Sequence, residues 1–389
     1  MSLLNAIETE AQPQIEAAAV RKRRRHVLDL DDFSQQEILE VLESAEGMSE
    51  VLHRDIKKVP ALRGRVVVTL FYEASTRTRI SFEEAGKILS ADVINMSASG
   101  SSTEKGESLL NTGLTIQAMG VDIIVIRHPH SGAPYLLAQH LDRVGIINAG
   151  DGIHAHPTQA LLDLYTVKEK LGRLEGLKIV IVGDVLHSRV ARSDIWGFAK
   201  MGAKVVLSGP ATLMPPDLMR SSGSIARSPF ASLVEVDTDL DRAIEGADVV
   251  MALRLQQERQ NAGFLPSIRE YIRRWQVTDA RLERARLGAR VMHPGPMNRG
   301  VEIESAVADG DQAIILDQVL NGVSGVSDAL DVVQVSLVHG NSAVAARPHL
   351  LSQIGQRGAG IDRDDVDPGN HNLPCHSRVQ SDDAPDHAH

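Results

Sequence analysis

Residues 66–79 read Val66-Val67-Val68-Thr69-Leu70-Phe71-Tyr72-Glu73-Ala74-Ser75-Thr76-Arg77-Thr78-Arg79 and join a strand pattern to an anion-binding pattern. The apolar, β-branched run 66–71 predicts a buried strand, and the segment from Ile80 onward predicts an amphipathic helix. The Ser/Thr/Arg residues therefore lie where a strand leads into a helix. Because the first N–H groups of a helix lack internal partners and the helix dipole is positive there, this junction predicts an oxyanion site.

The side chains at this junction suit a phosphate group. Ser75, Thr76 and Thr78 carry hydroxyls, and the Arg77 guanidinium can bind two phosphate oxygens at once. The alternative is an ordinary Ser/Thr N-cap beside exposed arginines. The strand before and the helix after favour the anion site.

Helix and strand patterns alternate along most of the chain. Helices are predicted at 33–42, with Asp31 and Asp32 as caps, and at 82–89, 108–119 and 157–170; strands are predicted at 93–96, 123–126, 177–184, 205–207 and 249–253; and residues 148–152 are predicted to form a turn. Strands separated by helices indicate an α/β fold with two doubly wound parallel-sheet domains and the active site in the cleft between them.

This pattern divides the chain into five predicted parts. They are a flexible leader (1–25), a first domain (26–156), a second domain (157–321), a helix returning to the first domain (322–340) and a disordered tail (341–389). The segment after Gly322 is a poor helix former, and the pattern alone leaves open whether the end of the chain is a native extension or the product of an altered reading frame.

Arginines recur after the predicted strands. Arg77, Arg127, Arg189 and Arg254 all occupy such positions. A single exposed arginine is usually only solvated, but four at the ends of strands indicate a pocket for a substrate with several negative charges, since ligands of parallel sheets lie at the carboxyl ends of strands.

Composition excludes several classes of function. The net charge of −10, from 41 Lys and Arg against 51 Asp and Glu, argues against a general nucleic-acid binder, and the basic run 21–25 is interpreted as part of a solvated leader. One cysteine, Cys375, offers no disulfide framework and fits a reducing cytoplasm. No membrane-spanning segment, P-loop or metal-ligand spacing is found in the sequence, so neither a metal nor a cofactor is expected.

Four motifs together resemble the catalytic chains of aspartate carbamoyltransferases, within the wider aspartate/ornithine carbamoyltransferase superfamily. They are the segments 71–79, 127–129, 156–163 (His-Pro-Thr-Gln-Ala-Leu-Leu-Asp) and 293–300 (His-Pro-Gly-Pro-Met-Asn-Arg-Gly), and the resemblance runs from about Arg25 to about Gly322. It implies transfer of the carbamoyl group of carbamoyl phosphate to L-aspartate, giving N-carbamoyl-L-aspartate and phosphate, in de novo pyrimidine (UMP) biosynthesis.

The resemblance also implies roles for individual residues. Phosphate would be bound by Ser75, Thr76, Arg77 and Thr78. The carbamoyl carbonyl would be polarised by Arg127, His156 and Thr78, while its NH2 group would be held by Gln159 and the backbone of Gly295 and Pro296. The carboxylates of aspartate would be bound by Arg189, Arg254, Gln256 and Lys105.

In the family, Ser101 and Lys105 reach into the active site of a neighbouring subunit, so the resemblance implies a homotrimer with shared sites. Whether the trimer stands alone, joins regulatory chains or binds dihydroorotase stays open. No cofactor is implied, because carbamoyl phosphate is already activated.

Two other functions are compared with this one. Ornithine carbamoyltransferases carry a His-Cys-Leu-Pro segment where this chain has His293-Pro294-Gly295-Pro296, and an acidic acceptor fits the arginines better. A non-catalytic, anion-binding paralogue would lack part of the residue set, and no expected position is visibly lost.

Overall fold

The computed structural model describes residues 24–97, 107–219, 229–256 and 267–340 of the chain, with only the backbone course for Asp328 and residues 331–340. Most of the predicted leader, the loop residues Ser101 and Lys105, and the predicted tail from residue 341 lie outside the described residues. Among the helices of the described part, none combines the length and the apolar character needed to cross a membrane.

The first half of the chain forms a parallel sheet of four strands. They are β1 (Val66–Phe71), β2 (Asp92–Ser97), β3 (Ile123–His128) and β4 (Gly145–Asp151), in the order β2-β1-β3-β4. The accompanying helices are α1 (Gln35–Leu52), α2 (Thr76–Ile88), α3 (Leu109–Ala118) and α4 (Ala133–His140). The apolar runs in β1 and β3 are buried because helices cover both faces of a parallel sheet.

The second half forms a parallel sheet of five strands. They are β5 (Lys178–Val182), β6 (Lys204–Ser208), β7 (Val234–Val236), β8 (Val249–Ala252) and β9 (Arg290–Met292), in the order β7-β6-β5-β8-β9. Helix α5 (Pro157–Leu171) precedes this sheet, and the others are α6 (Arg189–Lys200), α7 (Pro216–Met219), α8 (Leu240–Ala243), α9 (Ile268–Trp275), α10 (Asp279–Leu282) and α11 (Ser305–Ala308). The predicted fold class is confirmed.

The last helix, α12 (Ile315–Gly340), begins seven residues before the predicted position and packs against α1, α2 and α5. Its small residues permit a close approach, since a Cβ atom at Gly325 would lie 3.1 Å from the Cβ of Leu162. Asn321 Nδ2 donates to Thr166 Oγ1 of α5 at 3.2 Å. The segment that looked like a poor helix is therefore stabilised by tertiary contacts.

Two local predictions were wrong. Helix α1 is capped by Ser34 rather than by Asp31 or Asp32, because Ser34 and Glu37 form a reciprocal capping box. Residues 148–151 belong to the buried strand β4 and do not form a turn. The polar side chain that suggested a turn is satisfied inside the sheet, since Asn148 Nδ2 donates to Leu28 O and Asp151 Oδ1, each at 2.8 Å.

Candidate active site

A cleft of about 790 Å³ lies at the carboxyl ends of the central strands of both sheets. Each predicted site residue among the described residues lines it: Ser75, Thr76, Arg77, Thr78, Arg127, His156, Gln159, Arg189, Arg254, Gln256, Gly295 and Pro296. Ser101 and Lys105 are outside the described residues, so their place relative to the cleft is left to the sequence prediction.

Topology explains why these residues meet. In the first sheet β2 lies on one side of β1 and β3 on the other. In the second sheet β6 and β8 lie on opposite sides of β5 in the same way. Such switch points leave a crevice at the carboxyl ends of the strands. Residues 73–78 follow β1, and Arg127 is the second-last residue of β3, while Arg189 and Arg254 follow β5 and β8. Both crevices therefore supply positively charged side chains to one cleft.

Helix α2 begins inside the Ser/Thr/Arg motif rather than after it. Ser75 is the N-cap residue, and Arg79 N–H makes the first helical hydrogen bond, to Ser75 O at 3.2 Å. The N–H groups of Thr76, Arg77 and Thr78 therefore have no carbonyl partner within the helix. Ser75 Oγ donates to Thr78 Oγ1 at 2.9 Å instead of capping the helix. The helix start thus presents backbone donors and hydroxyls to the cleft.

The Arg77 guanidinium reaches the segment 293–296 that follows β9. Its Nη2 atom donates to the carbonyl oxygens of Pro294 and, at 3.2 Å, of Gly295. A Cβ atom at Gly295 would lie 2.5 Å from Arg77 Nη1, and the φ of +60° at this residue also favours glycine. The arginine predicted to bind phosphate and the backbone predicted to bind the carbamoyl group are therefore in contact.

Glu73 is a site residue to which the sequence analysis gave no role. Its Oε2 atom accepts a hydrogen bond from Arg189 Nη2 at 2.9 Å and lies 3.3 Å from Arg127 Nε. All three charged side chains are largely buried: 5% of Arg189, 14% of Arg127 and 21% of Glu73 is exposed. The only sequence signal was its position in the motif directly before Ala74-Ser75.

Arg127 was predicted to follow a strand, but it lies within β3. Its Nη1 atom donates to Ala149 O of the neighbouring strand β4 at 3.1 Å. This contact fixes the guanidinium, which lines the cleft, relative to the end of β4.

His156 is the N-cap residue of α5 and is buried. Its backbone N–H donates to Ser193 Oγ at 2.9 Å, which fixes its position relative to α6. Burial lowers the pKa of the imidazole well below its ordinary value, and the positive charges of Arg127, Arg189 and Arg77 lower it further. The imidazole is therefore neutral at neutral pH and can donate one hydrogen bond.

Arg189, the first residue of α6, is held from several sides. Besides its bond to Glu73, its Nη1 atom donates to Gly152 O at 3.2 Å. A Cβ atom at Gly150, next to the last residue of β4, would lie 2.8 Å from Arg189 Cζ, and the φ of +113° at this position also favours glycine. Arg254 and Gln256 follow β8 and line the same part of the cleft.

The segment 293–296 is fixed by a buried histidine. Gly295 N–H donates to His293 Nδ1 at 2.8 Å, so the other ring nitrogen carries the hydrogen and faces Glu302 Oε1 at 3.2 Å. Both side chains are fully buried. Glu302 was not predicted as a site residue, because its only signal in the sequence was a carboxylate nine residues after a histidine.

No group of three or more His, Cys, Asp and Glu side chains suited to a metal ion occurs in the described part of the chain. The side chains that converge on the cleft are mainly guanidinium, hydroxyl, amide and neutral imidazole donors, with Glu73 as the carboxylate that joins two of the arginines. Such an arrangement binds anions and stabilises negative charge that develops on an oxygen.

Comparison with known proteins identifies the class. Residues 25–169 match the model of the aspartate/ornithine carbamoyltransferase carbamoyl-P binding domain, and residues 175–330 match that of the Asp/Orn binding domain. The chain belongs to the aspartate/ornithine carbamoyltransferase family.

A relative within that family indicates the branch to which the chain is similar. It is 59% identical over 308 residues to the aspartate carbamoyltransferase catalytic subunit of Roseiflexus castenholzii, which covers 79% of this chain and 94% of the relative. The resemblance stated from the four motifs is confirmed.

Solved structures of both family branches share the fold. Aspartate transcarbamoylase from Trypanosoma cruzi, in complex with N-(phosphonacetyl)-L-aspartic acid, is 29% identical with a TM-score of 0.71, covering 80% of this chain and 96% of that one. Ornithine carbamoyltransferase from Pyrococcus furiosus is also 29% identical, with a TM-score of 0.70, covering 79% and 96%. The fold alone therefore does not distinguish the two acceptors.

Proposed function

We infer that this chain transfers the carbamoyl group of carbamoyl phosphate to L-aspartate, giving N-carbamoyl-L-aspartate and phosphate in de novo pyrimidine (UMP) biosynthesis. The observation that carries this conclusion is the convergence of Arg77, Arg127, Arg189 and Arg254 on one cleft from two sheets. The similarity to aspartate carbamoyltransferase catalytic subunits supports the acidic acceptor.

The phosphate group binds at the start of α2. Ser75, Thr76, Arg77 and Thr78 supply hydroxyls, N–H groups and a guanidinium that are all at the same helix N-terminus. On binding, the phosphate takes up the Arg77 donors that now point at the carbonyls of Pro294 and Gly295.

The carbamoyl group lies beside this phosphate site. Arg127, the neutral His156 and Thr78 donate hydrogen bonds to its carbonyl oxygen, and the backbone of Gly295 and Pro296 with Gln159 accepts from its NH2 group. Because these donors are held in place before the substrate arrives, they stabilise the oxyanion without reorganisation.

Aspartate binds on the side of the second sheet. Arg189, Arg254 and Gln256 line this part of the cleft and pair with its two carboxylates, and Lys105 contributes from a neighbouring subunit.

The reaction requires the two anions to be held together. The clustered guanidinium groups offset their repulsion and orient the neutral amine of aspartate at the carbonyl carbon. The C–N bond forms, the C–O bond to phosphate breaks, and the amine proton leaves with the phosphate. No protein base is needed for this step.

A turnover assay with carbamoyl phosphate tests the proposal. We expect N-carbamoyl-L-aspartate with aspartate and no product with ornithine. Product from ornithine alone would assign the chain to the other branch of the family, and binding of carbamoyl phosphate without turnover of either acceptor would indicate a non-catalytic paralogue.

The assembly is proposed as a cytoplasmic homotrimer in which Ser101 and Lys105 complete the site of a neighbour. Native mass measurement tests it: a mass of three chains supports shared sites, whereas a fully active monomer contradicts them. The same measurement with partner proteins distinguishes a bare trimer from an assembly with regulatory chains or dihydroorotase.

A further inference from the structure

Behind the carbamoyl end of the cleft lies a cluster of buried acids and amides, here called the acid–amide cluster and made up of Gln159, Asp163, Asp194 and Gln318. Gln159 Nε2 donates to both oxygens of Asp163, at 3.1 and 3.2 Å, and Gln318 Nε2 donates to Asp163 Oδ1 at 2.7 Å. Asp163 and Asp194 are fully buried, and 8% of Gln159 and 3% of Gln318 are exposed. Helices α5, α6 and α12 therefore meet at one carboxylate.

The amide donors of the cluster point to Asp163 and not to Asp194. The carboxyl oxygens of Asp194 accept no hydrogen bond from a donor among the described residues, yet Asp194 hydrogen-bonds Asp163. Burial raises the pKa of both acids, but the Gln159 and Gln318 amides lower that of Asp163 while Asp163 raises that of Asp194 further, so Asp194 holds the proton that the pair shares. Asp163, which receives two amide donors, is the ionised member of the pair.

An ionised carboxylate accepts hydrogen bonds and cannot donate them. The Gln159 amide must therefore turn its NH2 group towards Asp163, and its oxygen is the atom left for a ligand in the cleft. A carbamoyl NH2 group needs an acceptor at this point, whereas the phosphate group does not use it.

The cluster also reaches the segment 293–296. Gln318 donates to Asp163 through Nε2 and accepts from His293 N–H through Oε1 at 2.9 Å. His293 begins the segment whose backbone is assigned to the carbamoyl NH2 group. One carboxylate thus connects to both acceptors proposed for that group.

We propose that Asp163 is a positioning residue for carbamoyl phosphate: it orients the Gln159 oxygen towards the carbamoyl NH2 group and, through Gln318, fixes the segment 293–296. Asp194 keeps Asp163 in the accepting form by holding the shared proton. This inference rests on the proposed function, because it concerns the same substrate.

The test compares two ligands by calorimetry on the full chain. Carbamoyl phosphate uses the NH2 acceptors and inorganic phosphate does not. In Asp163→Asn one carboxylate oxygen becomes an NH2 group that faces the NH2 group of Gln159, and the negative charge that both glutamines face is lost, so the orientation of Gln159 is weakened. We expect affinity for carbamoyl phosphate to fall about 10- to 100-fold, while affinity for inorganic phosphate stays within about twofold of the original chain.

Asp194→Asn is the complementary variant. Its amide still donates to Asp163, so we expect carbamoyl phosphate affinity to stay within about threefold of the original chain. Equal loss in Asp163→Asn and Asp194→Asn, or equal loss for both ligands, would show a purely structural cluster and overturn the proposal.

A second pair of variants avoids the buried acids. Gln318 and Asn321 are both 3% exposed on α12 and both donate to α5, but Asn321 touches Thr166 rather than Asp163. We expect Gln318→Ala to weaken carbamoyl phosphate binding about tenfold, and Asn321→Ala to leave it unchanged. Equal affinities would contradict the inference even if Asp163→Asn fails to fold.

These outcomes are separable from failure of the proposed function. If the unaltered chain binds carbamoyl phosphate and forms product, the variants test only the role of Asp163. If the unaltered chain does neither, the function itself is wrong, and this inference falls with it.

Discussion

Glu73 Oε2 accepts a hydrogen bond from Arg189 Nη2 at 2.9 Å, and this contact joins the two sheets across the cleft. Glu73 follows β1, whereas Arg189 begins α6 after β5. The same oxygen lies 3.3 Å from Arg127 Nε, so one carboxylate orients an arginine assigned to the carbamoyl group and an arginine assigned to aspartate. The relative position of the two proposed substrate sites therefore depends on Glu73.

Replacing Glu73 with glutamine should weaken aspartate binding most. The amide keeps the shape but loses the charge, and its NH2 group is repelled by one guanidinium, so Arg189 is no longer held. We expect the KM for aspartate to rise about tenfold and kcat to fall by a similar factor. Steady-state kinetics at fixed carbamoyl phosphate measure both.

Glu46→Gln is the matched control for this variant. Glu46 pairs with Lys168 at 2.8 Å between α1 and α5, away from the cleft, and the pair is partly exposed. Kinetic constants should not change. If Glu46→Gln and Glu73→Gln lower activity equally, general loosening of the fold is responsible.

Arg77→Ala should remove the guanidinium from the proposed phosphate site. Turnover is expected to fall about 100-fold or more, because a fixed cation at the leaving group is lost. Arg79→Ala is the control, since that guanidinium stacks 5.4 Å from the centre of the Phe71 ring and does not line the cleft. Near-normal turnover of Arg77→Ala would disprove its assignment.

His156 should stay neutral as the pH falls past its ordinary pKa of 6.5, since burial and three arginines disfavour the imidazolium. The kcat profile should therefore show no transition of this group near 6.5. Nitrogen-15 NMR of the histidine ring tests this, and Arg127→Gln should shift the pKa upward by removing a positive neighbour. A ring that titrates at its ordinary value would refute the donor role.

The same group has a defined effect on stability. The unfolded chain binds this proton at the ordinary pKa, while the folded chain binds it only at lower pH. His156 therefore contributes to the free energy of unfolding above pH 6.5, and this contribution decreases as the pH falls below 6.5.

Deleting residues 341–389 should leave activity intact. All of the described residues that line the cleft precede this segment, and the family models end at residue 330. Turnover of the chain ending at Gly340 measures this. A large loss would show that the segment contributes to the fold or the assembly.

Sequence predicted the fold well where local pattern determines it. The apolar run of β1 and the apolar start of β3 sit between helices and have no other stable environment than a covered parallel sheet. Strand β4 was missed because Asn148, Gly150 and Asp151 are typical of turns, and only the fold shows that Asn148 and Asp151 satisfy each other.

For the candidate site, too, local motifs were predictable and contacts between distant residues were not. Residues in contiguous motifs, such as Ser75 to Thr78, line one cleft because strand-end positions converge in parallel sheets. The contacts of Glu73 with Arg189 and of Gln318 with Asp163 join residues more than a hundred positions apart. No local periodicity encodes such pairs, so their roles required the structure.

Helix α12 forms although its sequence has low helix propensity, and a substitution at Gly325 tests whether close packing is the reason. Glycine lowers the intrinsic stability of a helix by about 1 kcal/mol relative to alanine, but here its missing side chain lets α12 approach Leu162, whose Cβ would lie 3.1 Å from an added Cβ. We expect Gly325→Leu to destabilise the chain by about 1–3 kcal/mol through overpacking. Gly47→Leu in α1, where an added Cβ meets no atom within 4 Å, should instead be neutral or stabilising. Chemical denaturation measures both changes, and equal effects at the two glycines would mean that close packing does not determine the position of α12.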